Sequence, residues 1–335
     1  MKRVLTVIAV LMLAGITGCK KTMTPDLPGP DKEQEEQEVT VPAKEYPVDV
    51  QKAFQETGLV NKETAFTTYS PHSGISVSEI SYSDYAGSPQ AVFVMQVDLS
   101  DKTVSMTNTV PGATTGDFSG GREKLSAQFK RIDTQGHRVE GGVNTDFFIT
   151  SGSNAGSPQG IFWHNGTCYK DVFDSEATRP RSFVYWSDNE KVRMARSADY
   201  PNIKSFGLIK EAFSGGVLLV EKGGPSPLSE DSVSGVHPRT MLGIMEDNTK
   251  VVLVVLDGRD KTRAVGMNYL DMQKIMLSLG CQYALNIDGG GSSTFIVRKA
   301  GDTKYGADAS FEIRNKPSDG TERAIGPGLA IISSE

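Results

Sequence analysis

The sequence is poor in the residues that build metal centres and cross-linked scaffolds. Its 335 residues include three cysteines and four histidines, with no CxxC pair and no histidine-rich cluster. That composition argues against structural zinc and leaves little material for a histidine mechanism. Basic charge is short as well. Lys and Arg number 35 against 41 Asp and Glu, a net charge of −6, which argues against nucleic acid as the main partner. The apolar run at 4–14 is too short for a comfortable membrane span. No internal repeat is present. What remains is 38% hydrophobic and 23% charged, the balance of a soluble globular protein. The 35 glycines favour a turn-rich fold of many short strands. The length suffices for one large domain or two small ones.

The first residues form an export signal. Lys2 and Arg3 are its basic region and 4–14 its apolar core. Ile16-Thr17-Gly18-Cys19 follows and resembles a bacterial lipobox. The resemblance implies a signal peptide over 1–18, lipid attached to Cys19, and an exported, membrane-anchored lipoprotein of the cell envelope. An ordinary cleaved signal with an incidental Cys is the alternative. Residues 19–45 read as a disordered tether, rich in Pro and then in charge, without an apolar face. The folded body is expected over 46–335. Its two cysteines, Cys168 and Cys281, suit either a disulfide or two buried thiols.

Periodicity assigns the elements. Residues 48–57 read as a short helix. Alternation at Ile75, Val77, Ile80 and Tyr82 reads as a strand, as do 92–97 and 103–109. Leu125, Phe129 and Ile132 share a helical face, which predicts a helix over 122–135 stopped by Gly136. Strands return over 139–149, 160–163, 183–186 and 192–194, with Asn165-Gly166 and Asp188-Asn189 at turns. Residues 215–220 read as one buried strand and 222–236 as a loop. Strands at 239–245 and 251–256 flank a turn at 246–249. Asn268 caps a helix whose stripe is Tyr269, Met272, Ile275, Met276 and Leu279, and Gly280 ends it. The strand into Asp288 follows. This order predicts a right-handed crossover and some parallel pairing. The expected fold class is α+β: a strand-rich mixed sheet, a few helices, and one strand–helix–strand crossover.

The segment after that crossover carries the densest chemistry. Between two strand-like runs sit Asp288, the triplet Gly289, Gly290 and Gly291, and the hydroxyls of Ser292 and Ser293. Glycine lets a ligand approach the main chain, and successive N–H groups there can form an anion nest. A tight hairpin with a capping Asp is the plainer reading. Four other strand ends have a similar composition: Asn144-Thr145-Asp146-Phe147-Phe148, His237-Pro238-Arg239-Thr240, Asp257-Gly258-Arg259 and Thr321-Glu322-Arg323. Guanidinium groups hold phosphate oxygens bidentately, and paired carboxyls are the usual equipment for cleaving a glycosidic bond. The expectation is one cleft for an anionic, phosphorylated ligand, lined by Arg239, Arg259, Asp288 and Glu322.

The motif NIDGGGSST, preceded by GMNYLDMQKIMLSLG, resembles the signature of the phosphodiester glycosidase family. VNTDFF, SPQGIFWHNG, SGGVLLVEKG, HPRTMLGI, VVLVVLDGR and ERAIGPGLAI match in family order, covering roughly residues 75–335. Thr145 and Asp146 depart from the small residues usual at their positions. The resemblance implies hydrolysis of a sugar-1-phosphodiester of the N-acetylglucosamine-1-phosphodiester type, releasing the sugar and leaving a phosphomonoester. Asp288 and Glu322 are then the carboxylate candidates, one steering water and one stabilising charge near the anomeric carbon. Asp257 is either a third or an anchor for Arg259. Asn144, Asp146, Arg239, Thr240, Arg259, the glycine triplet, Ser292, Ser293 and Arg323 would bind substrate and phosphate. His237 reads as structural. No cofactor is required.

Two other classes stay open from the residues. In a metal-dependent phosphodiesterase, Asp146, Asp257 and Asp288 would hold a divalent cation. In a non-catalytic envelope-glycan-binding lipoprotein, the arginines and glycines would only grip.

Overall fold

The computed structural model describes residues 45–112, 118, 121–174, 181–187, 191–228, 235–245 and 247–334. The signal peptide, nearly all of the tether, and Cys19 lie outside the described residues, as do Asp188, Asn189 and Glu246 of two expected turns.

The longest sheet has eight strands. Their order is Lys62–His72, Ile75–Ser83, Pro89–Asp98, Lys250–Leu256, Arg239–Ile244, Tyr283–Ile287, Leu218–Glu221 and Gly224–Pro225. Successive side chains of a strand point to opposite faces. Phe93, Met95 and Val97 therefore enter one apolar cluster, while Val92 and Val94 enter another. Leu253 and Val255 likewise oppose Val252, Val254 and Leu256. The unbroken apolar run at 251–256 is thus a strand covered on both faces.

Helices Val50–Glu56 and Tyr269–Ser278 cover one face through Phe54, Met272, Ile275 and Met276. Two five-stranded sheets cover the other. The second sheet runs Phe311–Ile313, Phe295–Arg298, Arg138–Asn144, Gly328–Ser333 and Val104–Thr109. The third runs Arg193–Arg196, Ser182–Trp186, Glu211–Gly215, Phe162–His164 and Thr167–Lys170. Leu285 of the long sheet, Val143 and Phe295 of the second, and Val184 and Phe213 of the third share one buried cluster. Burying each such side chain contributes about 1.5–3 kcal/mol. Helix Leu125–Ile132 backs the second sheet through Leu125 and Phe129.

The fold class is α+β with strands dominant, as the periodicity indicated. Its pairing differs in one respect. Every ladder among the described residues is antiparallel. Lys250–Leu256 and Tyr283–Ile287 flank Arg239–Ile244 on its two sides. The helix between them does cross over, but across an antiparallel strand that already occupies the neighbouring place. No parallel ladder forms among the described residues.

Smaller corrections have local causes. Helix Leu125–Ile132 is shorter than 122–135 because Glu123–Lys124 pairs with Ala324–Ile325 and Asp133 is extended. Gly136, at φ 77°, serves the next turn. The single strand expected at 215–220 is two, Glu211–Gly215 in the third sheet and Leu218–Glu221 in the long one. The polar edge strand Lys62–His72 was not anticipated, since it is mostly exposed and lacks an apolar face. Cys168 and Cys281 are free thiols, Cys281 buried.

Candidate active site

Stretch 286–294 is not a hairpin. Tyr283–Ile287 ends in the long sheet and Phe295–Arg298 begins in the second. The chain passes between the two sheets through a single 3-10 turn, Gly290–Ser292. Asn144, at the end of Arg138–Asn144, fixes this passage. Its Nδ2 donates to the Asp288 carbonyl at 2.6 Å, and its Oδ1 accepts from Thr240 Oγ1 at 2.9 Å and Thr294 N at 3.1 Å. Thr240 Oγ1 also reaches Ser293 Oγ at 3.3 Å. Asn144, Thr240 and Ser293, expected among the substrate contacts, instead form a buried clamp.

Each glycine of the triplet has its own reason. A Cβ on Gly289 would stand 2.7 Å from the Pro238 carbonyl. Gly290 has φ 63° and packs under Arg259, whose Nη2 is 3.1 Å from where a Cβ would be. A methyl on Gly291 would run into the Arg323 guanidinium. The close approach expected of a ligand is made by the protein's own arginines. Four N–H groups of the expected anion nest are engaged within the protein. Gly289 N donates to Asp288 Oδ1 at 2.8 Å, Gly290 N to Pro238 O at 2.9 Å, Ser292 N to Gly289 O at 3.2 Å and Ser293 N to Gly290 O at 3.3 Å. Positive charge at this turn comes from guanidinium groups instead.

Arg323 donates from Nε to Asp319 Oδ2 at 2.7 Å and from Nη1 to Ser292 Oγ at 3.3 Å. Arg259 is exposed and left-handed at φ 65°. Such a backbone is strained for a residue with a Cβ, and strain of this kind gathers at functional sites. Asp257 pairs with Arg263 at 3.1 Å rather than with Arg259. No carboxylate among the described residues pairs with Arg259. Arg239 is held more tightly. Its Nε donates to Met267 O at 3.1 Å, its Nη2 to Gly235 O at 2.6 Å, and its guanidinium lies 4.4 Å from the Tyr269 ring centre. Burial, together with Arg239 and Arg259, keeps His237 below the usual histidine range.

Asp288 follows the ladder pair Thr240↔Ile287 by one step, which brings it beside Arg239. It is half-buried. Burial pushes its carboxyl up to about 7; hydrogen bonds from Ser292 and Gly289 and the charge of Arg323 oppose the rise, while the charge of Asp146 adds to it. A carboxyl so perturbed, at the head of a turn that packs against the Arg259 and Arg323 guanidinium groups, is a functional-site candidate on physical grounds. Asp146 is fully buried. Arg181 Nη2 pairs with its Oδ1 at 2.6 Å, and Gly160 N and Ser214 Oγ donate to its Oδ2 at 2.9 and 2.7 Å. Burial raises it to about 6 against the pull of Arg181. It supplies charge to Asp288 rather than a contact for substrate.

Two expected carboxylates are elsewhere engaged. Asp257 accepts from Lys316 N at 2.9 Å, Asn315 Nδ2 at 3.2 Å and Arg263 Nε at 3.1 Å, and so anchors 315–316. Glu322 accepts from Ser126 N at 2.7 Å and Ser126 Oγ at 2.6 Å. It caps helix Leu125–Ile132, whose Lys124 offers no side-chain cap. Asp146, Asp257 and Asp288 thus have separate partners and do not gather as cation ligands. No metal-holding group of three acidic, His or Cys side chains occurs among the described residues. Arg181 and Ser214 carried no motif that would single them out in sequence.

Fold and site together define a strand-rich α+β protein in which an acidic carboxyl and two guanidinium groups converge, equipment for a phosphate ester. The chain belongs to the phosphodiester glycosidase family, whose profile matches residues 137–332. Among curated proteins it is 32% identical over 180 residues to the SPbeta prophage-derived uncharacterized protein YomE of Bacillus subtilis (strain 168), covering 52% of this chain and 26% of that one. The chain therefore spans about a quarter of that relative's length. Two solved structures share the fold. One is the catalytic domain of zebrafish N-acetylglucosamine-1-phosphodiester alpha-N-acetylglucosaminidase, auto-inhibited by its pro-peptide, at 20% identity and TM-score 0.56, over 81% of this chain and 89% of that one. The other is a hypothetical protein from Synechocystis, at 13% identity and TM-score 0.56, over 81% of this chain and 64% of that one.

Proposed function

We propose that the chain hydrolyses a sugar-1-phosphodiester of the N-acetylglucosamine type, releasing the sugar and leaving a phosphomonoester on the other partner. The carrying observation is Asp288, raised to about 7, at a glycine turn bracketed by Arg259 and Arg323. An ionised Asp288 would repel a phosphodiester anion, so substrate binds best to the protonated carboxyl. That proton passes to the bridging oxygen as its bond to the anomeric carbon breaks. Charge growing on the departing phosphate falls to Arg259 and Arg323. Water adds to the anomeric carbon and loses its proton to solvent, from which Asp288 is reprotonated. Arg239, held by backbone carbonyls, positions the phosphate. The scheme uses no cofactor and no nucleic acid. The N-acetylglucosaminidase activity of the zebrafish neighbour supports the choice of sugar. The same proposal places the protein outside the cytoplasm, tethered to a membrane of the cell envelope through lipid on Cys19.

Product analysis in 18O-labelled water tests the reading. Label in the released sugar supports it. Label in the phosphate would mean cleavage at phosphorus, the phosphodiesterase reading. Binding of the diester without product would leave a protein that only grips.

A further inference from the structure

The fold has two poles, and the candidate site occupies one of them. Arg239 begins its strand there, and Lys250–Leu256 ends there, just before Asp257 and Arg259. At the other pole Ile244 pairs with Val251, and Lys250 with Asp98. Lys250–Leu256 is 7 residues long, which sets its two ends roughly 20 Å apart. The third sheet lies along the same direction. Gly216 N donates to Asn286 O at 2.8 Å at the site end, and Val192 N donates to Asn248 O at 2.8 Å at the far end.

Two features meet at the far pole. The first is the entry of the chain. Tyr46 Oη donates to Val251 O at 3.1 Å, and the Lys250 ammonium lies 5.8 Å from the Tyr46 ring centre. Cys19 stands 26 positions before Glu45, a stretch of at most roughly 90 Å when fully extended. The second is the loop Lys204-Ser205-Phe206-Gly207-Leu208-Ile209-Lys210. It leads into Glu211, the ladder partner of Trp186 at the far end of the third sheet. Ile209 is buried beside Phe183 and Tyr200, and Lys210 N donates to Trp186 O at 3.0 Å, so the loop is pinned. Phe206 and Leu208 nonetheless stand 71% and 61% exposed. Val172, 60% exposed, follows Asp171, whose carboxylate pairs with Lys204. A hollow of about 680 Å³ beside the loop is lined by Trp163, Asn165, Lys204, Leu208 and Lys210, and by no carboxylate among the described residues.

Exposed apolar groups rimmed by polar ones mark interaction surfaces. The surroundings select the partner. Phe and Leu between two Lys are the make-up of an interfacial membrane segment, with apolar side chains at the acyl boundary and ammonium groups at the headgroups. Lipid on Cys19 would hold a bilayer within reach of this pole. We infer that the far pole is a bilayer-docking surface, with Phe206 and Leu208 entering the acyl boundary, Lys204 and Lys210 meeting headgroup phosphates, and Asp288 facing away from the membrane. The inference rests on the lipoprotein reading and is independent of the glycosidase reading. Substrate then arrives from the side away from the anchoring membrane, rather than from that membrane's own headgroups.

The test places the full protein, isolated from its host, on vesicles of equal parts phosphatidylcholine and phosphatidylglycerol, with and without brominated acyl chains. Phe206→Trp reports on the loop, and Lys261→Trp, two positions past Arg259, reports on the site pole. The parent chain, with Trp163 and Trp186, gives the background. Bromine is expected to quench most of the added emission of Phe206→Trp and none of that of Lys261→Trp. Adding Leu208→Asp to Phe206→Trp should abolish the quenching without moving the melting temperature, since Leu208 is exposed. An unquenched loop reporter would overturn the inference; where mass spectrometry finds lipid on Cys19, the lipoprotein reading would stand. Quenching at Lys261→Trp, or quenching that Leu208→Asp leaves unchanged, would overturn it too. So would a loop reporter shielded in protein that elutes as a dimer, which would put a second copy on the patch. Quenching at the loop in protein whose Cys19 carries no lipid would support the docking surface and sink the lipoprotein reading alone.

Discussion

Replacing Asp288 by Asn separates catalysis from stability. Both residues are neutral at low pH and nearly the same shape. Asn keeps a side-chain oxygen able to accept from Gly289 N, as Asp288 Oδ1 does at 2.8 Å. The difference is charge. The wild-type carboxyl is raised from 3.8 to about 7 in the folded protein. The folded state therefore holds the proton more tightly than the unfolded chain. That contribution to stability is fully present below pH 3.8 and is lost as pH climbs through about 7. Three units at about 1.4 kcal/mol each would make the loss about 4 kcal/mol. Solvent reaching the half-buried carboxylate screens part of it, leaving about 2 kcal/mol. Asn never ionises and escapes the loss. Asp288→Asn should melt with the wild type at pH 4 and roughly 3 °C above it at pH 8, given the size of the folded body. Its kcat on a sugar-1-phosphodiester should fall on the order of a hundredfold or more. In the wild type, kcat/KM should decline above about pH 7 as the proton is lost. A variant with near-normal turnover, or one whose melting shows no gap opening with pH, would refute the reasoning.

Arg259→Gly should relieve the left-handed backbone, stabilising the fold by about 1 kcal/mol, while KM for the diester rises tenfold or more; an unchanged KM would remove Arg259 from the phosphate site. Glu322→Gln should lower thermal stability by about 0.5–1 kcal/mol through the lost charge at a helix N-terminus, with kcat kept. A large kcat loss in a folded Glu322→Gln protein would return Glu322 to the catalytic group. Cys19→Ser should abolish lipid labelling in the native host, and labelling that persists would end the lipoprotein reading.

The elements were legible where one periodicity dominated. Tyr269–Ser278 begins after its Asn268 cap because both cap and stripe are written locally. The polar strand Lys62–His72 was invisible because edge pairing asks for backbone hydrogen bonds rather than buried side chains. Parallel pairing was expected from element order, but neighbour relations are set by which strand docks first in space, and Arg239–Ile244 lies between. At the site, composition located the converging segments but not the duty of each group. Asp257 and Glu322 look like catalytic acids in sequence, and only three dimensions reveal the Lys316 and Ser126 amides that occupy them. Arg181 is the converse, a lone residue whose meaning comes from Asp146, 35 positions away.

The Asn144 clamp bears on how the protein acquires activity. Asn144 grips Thr240 across 96 residues of chain and Thr294 across 150. Contacts so distant in sequence close late, since loop entropy must be overcome before they contribute. A refolding chain should recover its sheets, and much of its circular dichroism, before it recovers any turnover. Enzymatic activity and the clamp's amide protection from hydrogen exchange should then appear together, in the slowest phase.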